Sequence, residues 1–272
     1  MLKQRVVTAL ILGAMVLLAI FLLPAMLWGV FVAVLVAVAA YEWCQLQGLD
    51  RGRTGGFVLA VVALALFLGT APWLSSGTAA RLAIYLCSVC FWAIVVPLWL
   101  WFKPDLSRSL LPYAVGLILF VPTSLALLEL RQAHPVLLVL AILGVCVADI
   151  GAFFVGRAYG RRKLAPEISP GKSWEGFFGG VLGVVLFFLL VSAFWIPELS
   201  ARMSYFGVAC FALVFALASV EGDLFESLVK RKAGVKDSGS LLPGHGGVLD
   251  RVDSMLSTLP LAGVLLASWQ YF

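Results

Sequence analysis

"PVLLVLAILGVCVADIGAFFV", residues 135–155, is an apolar run of bilayer length that contains one charged residue, Asp149. As a helix, such a run satisfies its own backbone and spans the hydrocarbon core of a membrane. Runs of the same kind recur, centred in 6–23, 25–41, 57–75, 82–102, 110–128, 176–196, 203–221 and 252–270. The chain therefore reads as an all-α, polytopic membrane bundle of about nine transmembrane helices. Composition agrees, with 62% hydrophobic residues, 12% charged and a mean hydropathy of +1.06. That is more apolar surface than one soluble core of 272 residues could hide. Short breaks and the absence of a linker or internal repeat leave no separate soluble domain. The break at Pro24 is short enough to be a kink inside a re-entrant pair.

Charge asymmetry sets an expected topology. With Lys3 and Arg5 cytoplasmic, nine spans place the breaks 42–56, 103–109, 156–175 and 222–251 on the same side. Sixteen of the 19 basic residues then lie inside, and only Arg81, Arg131 and Arg202 outside. The net charge of +5 thus reports topology and an anionic lipid or substrate. No nucleic-acid-binding pattern is present. The start, MLKQR and an apolar run, has no clear cleavage site and is expected to be an uncleaved first span.

Other residues have plain structural readings. Trp28, Trp73, Trp99, Trp101, Trp269 and Tyr271 lie near expected helix ends, as interfacial anchors do. Cys87 and Cys90 spell CxxC, but inside a span, with no second pair and no nearby histidine. They read, with Cys44, Cys146 and Cys210, as small apolar core residues.

The polarity of the chain is concentrated in its second half. Residues 1–134 are expected to be scaffold and lipid-facing helices, and 135–272 a catalytic region with polar loops 156–175 and 222–251. Asp149 lies inside the sixth span, and Glu175 opens the seventh. Glu221, Asp223 and Glu226 close the eighth, and Asp250 and Asp253 open the ninth. A charge at the bilayer centre costs roughly 2.5–3.5 kcal/mol, so such residues face a cavity or a partner. All lie toward one side on the expected topology and can converge. Asp223 and Glu226 are three apart, as are Asp250 and Asp253, so each pair shares a helix face. Carboxylates beside a basic loop suit a Mg²⁺-nucleotide or Mg²⁺-pyrophosphate site, where oxygens hold the cation and Lys or Arg meets phosphate. The alternative is helix capping and pairing with Lys230, Arg231 or Lys232.

Two loops carry further chemistry. In "GRAYGRRKLAPEISPGKSWEG", residues 156–176, the GKS is not a P-loop, because Pro166 stands where the first glycine is required and no βαβ unit precedes it. What remains is a polar turn before a helix whose first turn, Ser173 to Gly176, offers backbone N–H groups and Lys172 to an anion. Arg161, Arg162 and Lys163 read as topogenic charges. In "PGHGG", residues 243–247, Gly246 and Gly247 permit close backbone approach to phosphate, and His245 can donate to a phosphate oxygen or carry a proton. Lys236, Asp237, Asp250, Arg251 and Asp253 are its neighbours in sequence. His134 looks incidental.

The stretch "SLVKRKAGVKDSGSLLPGHGGVLDRVD", Ser227 to Asp253, resembles the signature of the phosphatidate cytidylyltransferases, the CDP-diacylglycerol synthases of membranes. Asp149-Ile-Gly151-Ala-Phe153, Gly156-Arg157 and Ser169-Pro-Gly-Lys-Ser-Trp-Glu175-Gly176 resemble the upstream block of that family, with Gly171 where a basic residue is more usual. The N-terminal half resembles it only in hydrophobic pattern. The resemblance implies a dimeric, Mg²⁺-dependent integral membrane enzyme of phospholipid biosynthesis that joins CTP and phosphatidic acid to give CDP-diacylglycerol and pyrophosphate. The corresponding expectation assigns Asp223 and Asp250 to metal, bridging two cations of which the second is divalent or monovalent, with Asp253 beside them. Lys230, Arg231, Lys236 and Arg251 would hold phosphates of CTP or lipid, and Lys172 with Ser173 the triphosphate. Asp149 and Glu175 complete the cavity, while His245, Asp237, Gly246 and Gly247 belong to the same loop. In a bacterium the expected location is the inner membrane with the site on the cytoplasmic face. Two rivals are a secondary transporter, which would have paired broken helices in two related halves, and a CDP-alcohol phosphotransferase, whose D-G-x-x-A-R opening is missing here.

Overall fold

The apolar runs form helices in a computed structural model, which describes residues 2–70, 78–104, 110–241 and 246–269. Helix α1 (Leu2–Leu22) and α2 (Ala25–Leu46) are separate, because Pro24 has no N–H with which to continue the first. Next come α3 (Arg51–Thr70) and α4 (Thr78–Cys90), which passes through a π-helical turn (Phe91–Val95) into α5 (Val96–Phe102). The wide turn lies just ahead of Pro97, which cannot donate to the carbonyl one turn back. Helices α6 (Leu111–Ala133) and α7 (Pro135–Tyr159) lead to strands β1 (Lys163–Ala165) and β2 (Ser169–Ser173). The chain continues through α8 (Trp174–Phe194), α9 (Pro197–Lys232) and α10 (Leu249–Ser268). Ser204, at φ 60°, marks a kink at which two helices meet within α9.

Among the described residues, seven helical rods are long and apolar enough to cross a membrane: α2, α3, the α4–α5 rod, α6, α7, α8 and α9. The chain is an integral membrane protein. The apolar part of α1, Leu10–Leu22, is shorter, and α10 opens with Asp250, Arg251 and Asp253.

Several expectations need correction. The loop before α8 is an antiparallel hairpin, with Lys163 opposite Ser173 and Ala165 opposite Ser169, rather than a simple turn. Cys44 is buried, but Cys87, Cys90, Cys146 and Cys210 are exposed on the helix surfaces, so they are not core residues. Trp28 and Trp99 are buried, Trp28 donating from Nε1 to the Leu127 carbonyl, whereas Trp101 is exposed as an anchor would be. Trp73 and Tyr271 lie outside the described residues. His134 has a definite task, accepting the Val136 N–H as the N-cap of α7.

Small residues set the helix contacts that matter for the site. A methyl group on Gly176 would come within 2.7 Å of the Ala152 carbonyl oxygen, on Gly180 within 2.8 Å of that of Ala148, and on Gly151 within 2.8 Å of that of Gly179. These glycines let the α7 and α8 backbones touch, which dispersion favours where lipid offers no hydrophobic drive. On the next contact Gly222 lies against Asp253 and Ser254, while Ser254 and Ser257 donate from Oγ to the Ser219 and Ala218 carbonyls at 3.0 and 2.7 Å. Helices α9 and α10 are thereby held close.

Internal prolines are compensated across helices. Pro260 frees the Leu256 carbonyl, which accepts from Trp92 Nε1 at 3.1 Å and Thr123 Oγ1 at 3.3 Å; Pro122 frees that of Ile118, which accepts from Ser88 Oγ at 3.4 Å. Phe225 of α9 sits among Trp43, Phe91, Trp92 and Trp99, with ring centroids 5.7–6.3 Å apart. This cluster joins the N-terminal helices to the second half of the chain.

Candidate active site

Close packing of α7, α8 and α9 leaves a cleft of about 400 Å³ lined by Asp149, Gly156, Arg157, Lys172, Ser173, Gly176, Ser219 and Asp223. The hairpin delivers Lys172 on its second strand. Its Nζ lies 2.5 Å from Asp223 Oδ2, and Ser227 Oγ donates to Asp223 Oδ1 at 3.2 Å. Ser173 caps α8 by accepting the Gly176 N–H at 3.2 Å, so this hydroxyl is committed to the helix end. Glu175 turns back to accept the N–H groups of Arg161 and Arg162 at 3.1 and 3.2 Å, fixing the approach to the hairpin.

The Gly222 contact brings Asp253 of α10 toward the same cleft. Asp149, Asp223 and Asp253 act on one another electrostatically, with Lys172 acting on Asp149 and Asp253, and Arg251 on Asp149. Asp250, three residues from Asp253, has both carboxylate oxygens engaged. Its Oδ1 lies 2.6 Å from Lys230 Nζ, and its Oδ2 accepts the Ser238 and Gly247 N–H groups at 2.9 and 2.8 Å. Lys230 Nζ is also 2.5 Å from Glu226 Oε2, which makes a buried acid–lysine–acid row. The electrostatic reach of Glu226 to Asp253 links this row to the cleft.

The remaining expected residues form the rim. Arg231 donates from Nε to the Ile168 carbonyl at 3.3 Å and so ties α9 to the hairpin. Lys236, Asp237 and Arg251 are exposed. Gly246 has φ +78°, and a methyl group there would stand 2.5 Å from Asp250 Oδ2 and 3.3 Å from Asp237 Cβ, a backbone approach that only glycine permits. His245 lies outside the described residues. At the turn of the hairpin, Glu167 pairs with Lys103, and this hydrogen bond and charge hold the Glu167 carboxyl below its ordinary value.

The donor set suits a hard cation and its phosphate ligands, since the carboxylates supply oxygens that Mg²⁺ prefers and Lys172, Arg157 and Arg251 supply positive charge for phosphate. Among the described residues no three acidic, Cys or His side chains are gathered as a preformed metal cage. Mg²⁺ sites commonly take one or two carboxylates and complete their shell with water and substrate phosphates.

One polar residue at the site escapes sequence reading. Glu42 of α2 is buried and accepts from Ser238 Oγ, Val248 N and Leu249 N at 2.9, 3.1 and 2.8 Å. The available signal is an acid in an apolar helix with no basic residue within one turn to pair with it.

Residues 3–269 match a family model described as the cytidylyltransferase family. The chain is 37% identical to a phosphatidate cytidylyltransferase of Pseudomonas aeruginosa, with 99% of each chain covered, and 33% identical to one of Haemophilus influenzae, with 96% of each covered. It is 39% identical to the chloroplastic phosphatidate cytidylyltransferase 5 of Arabidopsis thaliana over 74% of this chain and 48% of that one.

Proposed function

Because the chain belongs to the cytidylyltransferase family, we infer that it is a phosphatidate cytidylyltransferase, joining CTP and phosphatidic acid into CDP-diacylglycerol and pyrophosphate. The observation that carries the reading is an open cleft lined by Asp149, Arg157, Lys172 and Asp223 in a membrane-spanning bundle, with Lys172 paired to Asp223. Both substrates are polyanions, and one of them is confined to the bilayer. A site that is polar at a helix-bundle surface and apolar just below can meet both.

The chemistry asks little covalent work of the protein. A phosphate oxygen of phosphatidic acid forms a bond to the α-phosphorus of CTP, the bond from that phosphorus to the β-bridging oxygen breaks, and pyrophosphate departs. Rate enhancement comes from neutralising charge and aligning the two phosphates in line. Lys172 and Arg251 flank the acids and would meet the triphosphate, with Arg157 at the mouth of the cleft. Lys230, Arg231 and Lys236 would serve the phosphates from the α9 end, and His245 belongs to the same loop. Asp223 and Asp253 would hold Mg²⁺ together with Asp250, for which the Lys230 ammonium now competes. A second cation, divalent or monovalent, completes the proposal. When bound, Mg²⁺ supplies charge neutralisation at the phosphates.

In this reading the site faces the cytoplasm, where CTP is found, and the enzyme works as a homodimer in the inner membrane of a bacterium. The positive-inside bias supports the orientation, and the family resemblance supports the dimer. Purified protein with phosphatidic acid, Mg²⁺ and CTP labelled at the α-phosphate should move label into the organic phase. Transfer should stop when either lipid or Mg²⁺ is omitted. Absence of transfer from folded protein with several lipid acceptors would overturn the reading.

A further inference from the structure

Glu42 stands in the half of the chain that carries little other buried charge, yet it holds the polar loop of the other half. Its side chain is 5% exposed. Oε2 accepts from Ser238 Oγ and Leu249 N, and Oε1 accepts from Val248 N. The last two donors open α10, and an unpaired helix N-terminus favours a negative partner. Ser238 is bound to Asp250 in both directions, since its N–H donates to Asp250 Oδ2 at 2.9 Å and its Oγ accepts the Asp250 N–H at 3.3 Å. One serine therefore separates Glu42 from Asp250.

The surrounding backbone is shaped to this carboxylate. A methyl group on Gly239 would stand 2.5 Å from Glu42 Oε1, and one on Gly247 would overlap the carboxylate and Ser238 Oγ. Gly247, the last glycine of the PGHGG run, thus has a physical reason: its N–H serves Asp250, and the space where its side chain would be is filled by Glu42. The neighbouring residue, Trp43, stacks on Phe225 at 6.3 Å and fixes α2 against α9.

We propose that Glu42 is a positioning residue for cytidylyl transfer, holding Asp250 in register through Ser238 and the first turn of α10. The proposal rests on the activity inferred above. Three donors converge on two oxygens that only accept, so the amide of Glu42→Gln would turn an N–H₂ toward one of them. Glu42→Asp keeps the charge but withdraws it by about 1.5 Å.

The test uses full-length protein in detergent, with label transfer followed at varied CTP and thermal unfolding measured alongside. Glu42→Gln and Ser238→Ala should each lower kcat by about 10–100-fold, the usual cost of losing a residue that orients a functional group, with KM for CTP within about 3-fold of wild type. The double variant should be no slower than Glu42→Gln alone, because both changes break one link. Effects that multiply in the double variant, or a kcat for Glu42→Gln within about 2-fold of wild type, would overturn the proposal. If Glu42→Gln fails to fold, Glu42→Asp takes its place, and wild-type kcat in that variant would overturn it. An inactive wild-type protein would instead strike the parent reading.

Discussion

Lys172 on strand β2 places its ammonium 2.5 Å from Asp223 Oδ2 on α9, across 51 residues of sequence. The pair closes one wall of the cleft and joins the hairpin to the helix that bears the acids. Removing the positive charge should weaken triphosphate binding and leave Asp223 unopposed. A charge-assisted hydrogen bond contributes about 1.5–3 kcal/mol, so Lys172→Met should lower kcat/KM for CTP by roughly 10–100-fold. Steady-state kinetics at saturating phosphatidic acid checks this, and unchanged kinetics would remove Lys172 from the site.

Lys230 stands between Glu226 and Asp250, whose side chains are 4% and 5% exposed. Taking away the lysine leaves two buried carboxylates facing one another. Breaking a buried pair in this way costs about 3–5 kcal/mol, so Lys230→Met should lower the unfolding temperature in detergent markedly. Adding Glu226→Gln should recover part of that loss, because one of the two stranded charges is then gone. No recovery would show that Glu226 and Lys230 do not share the burial cost.

The contact between α9 and α10 depends on the missing side chain of Gly222, where a methyl group would come within 2.6 Å of the Asp253 carbonyl oxygen. Gly222→Ala should force the helices apart, destabilise the protein by about 1–3 kcal/mol as overpacking does, and shift Asp253 away from Asp223. Gly171 has open space around it. Gly171→Ala should change stability by no more than about 0.5 kcal/mol. Comparing the two unfolding temperatures tests whether backbone contact, rather than glycine as such, matters.

A second polar group serves as a control for location. Tyr85 donates to Glu129 Oε2 at 2.9 Å, and Arg81 pairs with Glu129 at 3.4 Å. Glu129 lies near the end of α6, and about 20 Å of helix rise along α7 separates that end from Asp149. Tyr85→Phe should lower stability by about 1–3 kcal/mol, because Glu129 Oε2 loses its donor while Oε1 keeps Arg81, and leave KM for CTP unchanged. An altered KM would mean that the site extends across the bundle.

The helical bundle and the region of the site are legible in the amino-acid sequence. Apolar runs of bilayer length give helices because backbone in hydrocarbon has few other options, and the signature from Ser227 to Asp253 falls on the α9 end, the intervening loop and the start of α10. Spacing alone does not name partners: Asp250 and Asp253 sit three apart, and that Lys230 and the Ser238 N–H hold Asp250 follows only from the folded chain. The hairpin of β1 and β2 is hidden because strands of three and five residues show no clear alternation. Exposed cysteines resemble core residues in sequence because a lipid-facing surface is as apolar as an interior. Glu42 gives little signal because its partners are about 200 residues away, in a loop whose path the sequence does not reveal.

The most direct test sets the wild-type protein beside Asp223→Asn in the label-transfer assay, at matched amounts of folded protein. The wild type should carry α-phosphate label from CTP into lipid when Mg²⁺ and phosphatidic acid are present, and Asp223→Asn should carry none above background. Equal transfer by both proteins would contradict the placement of the reaction in the Asp149–Lys172–Asp223 cleft.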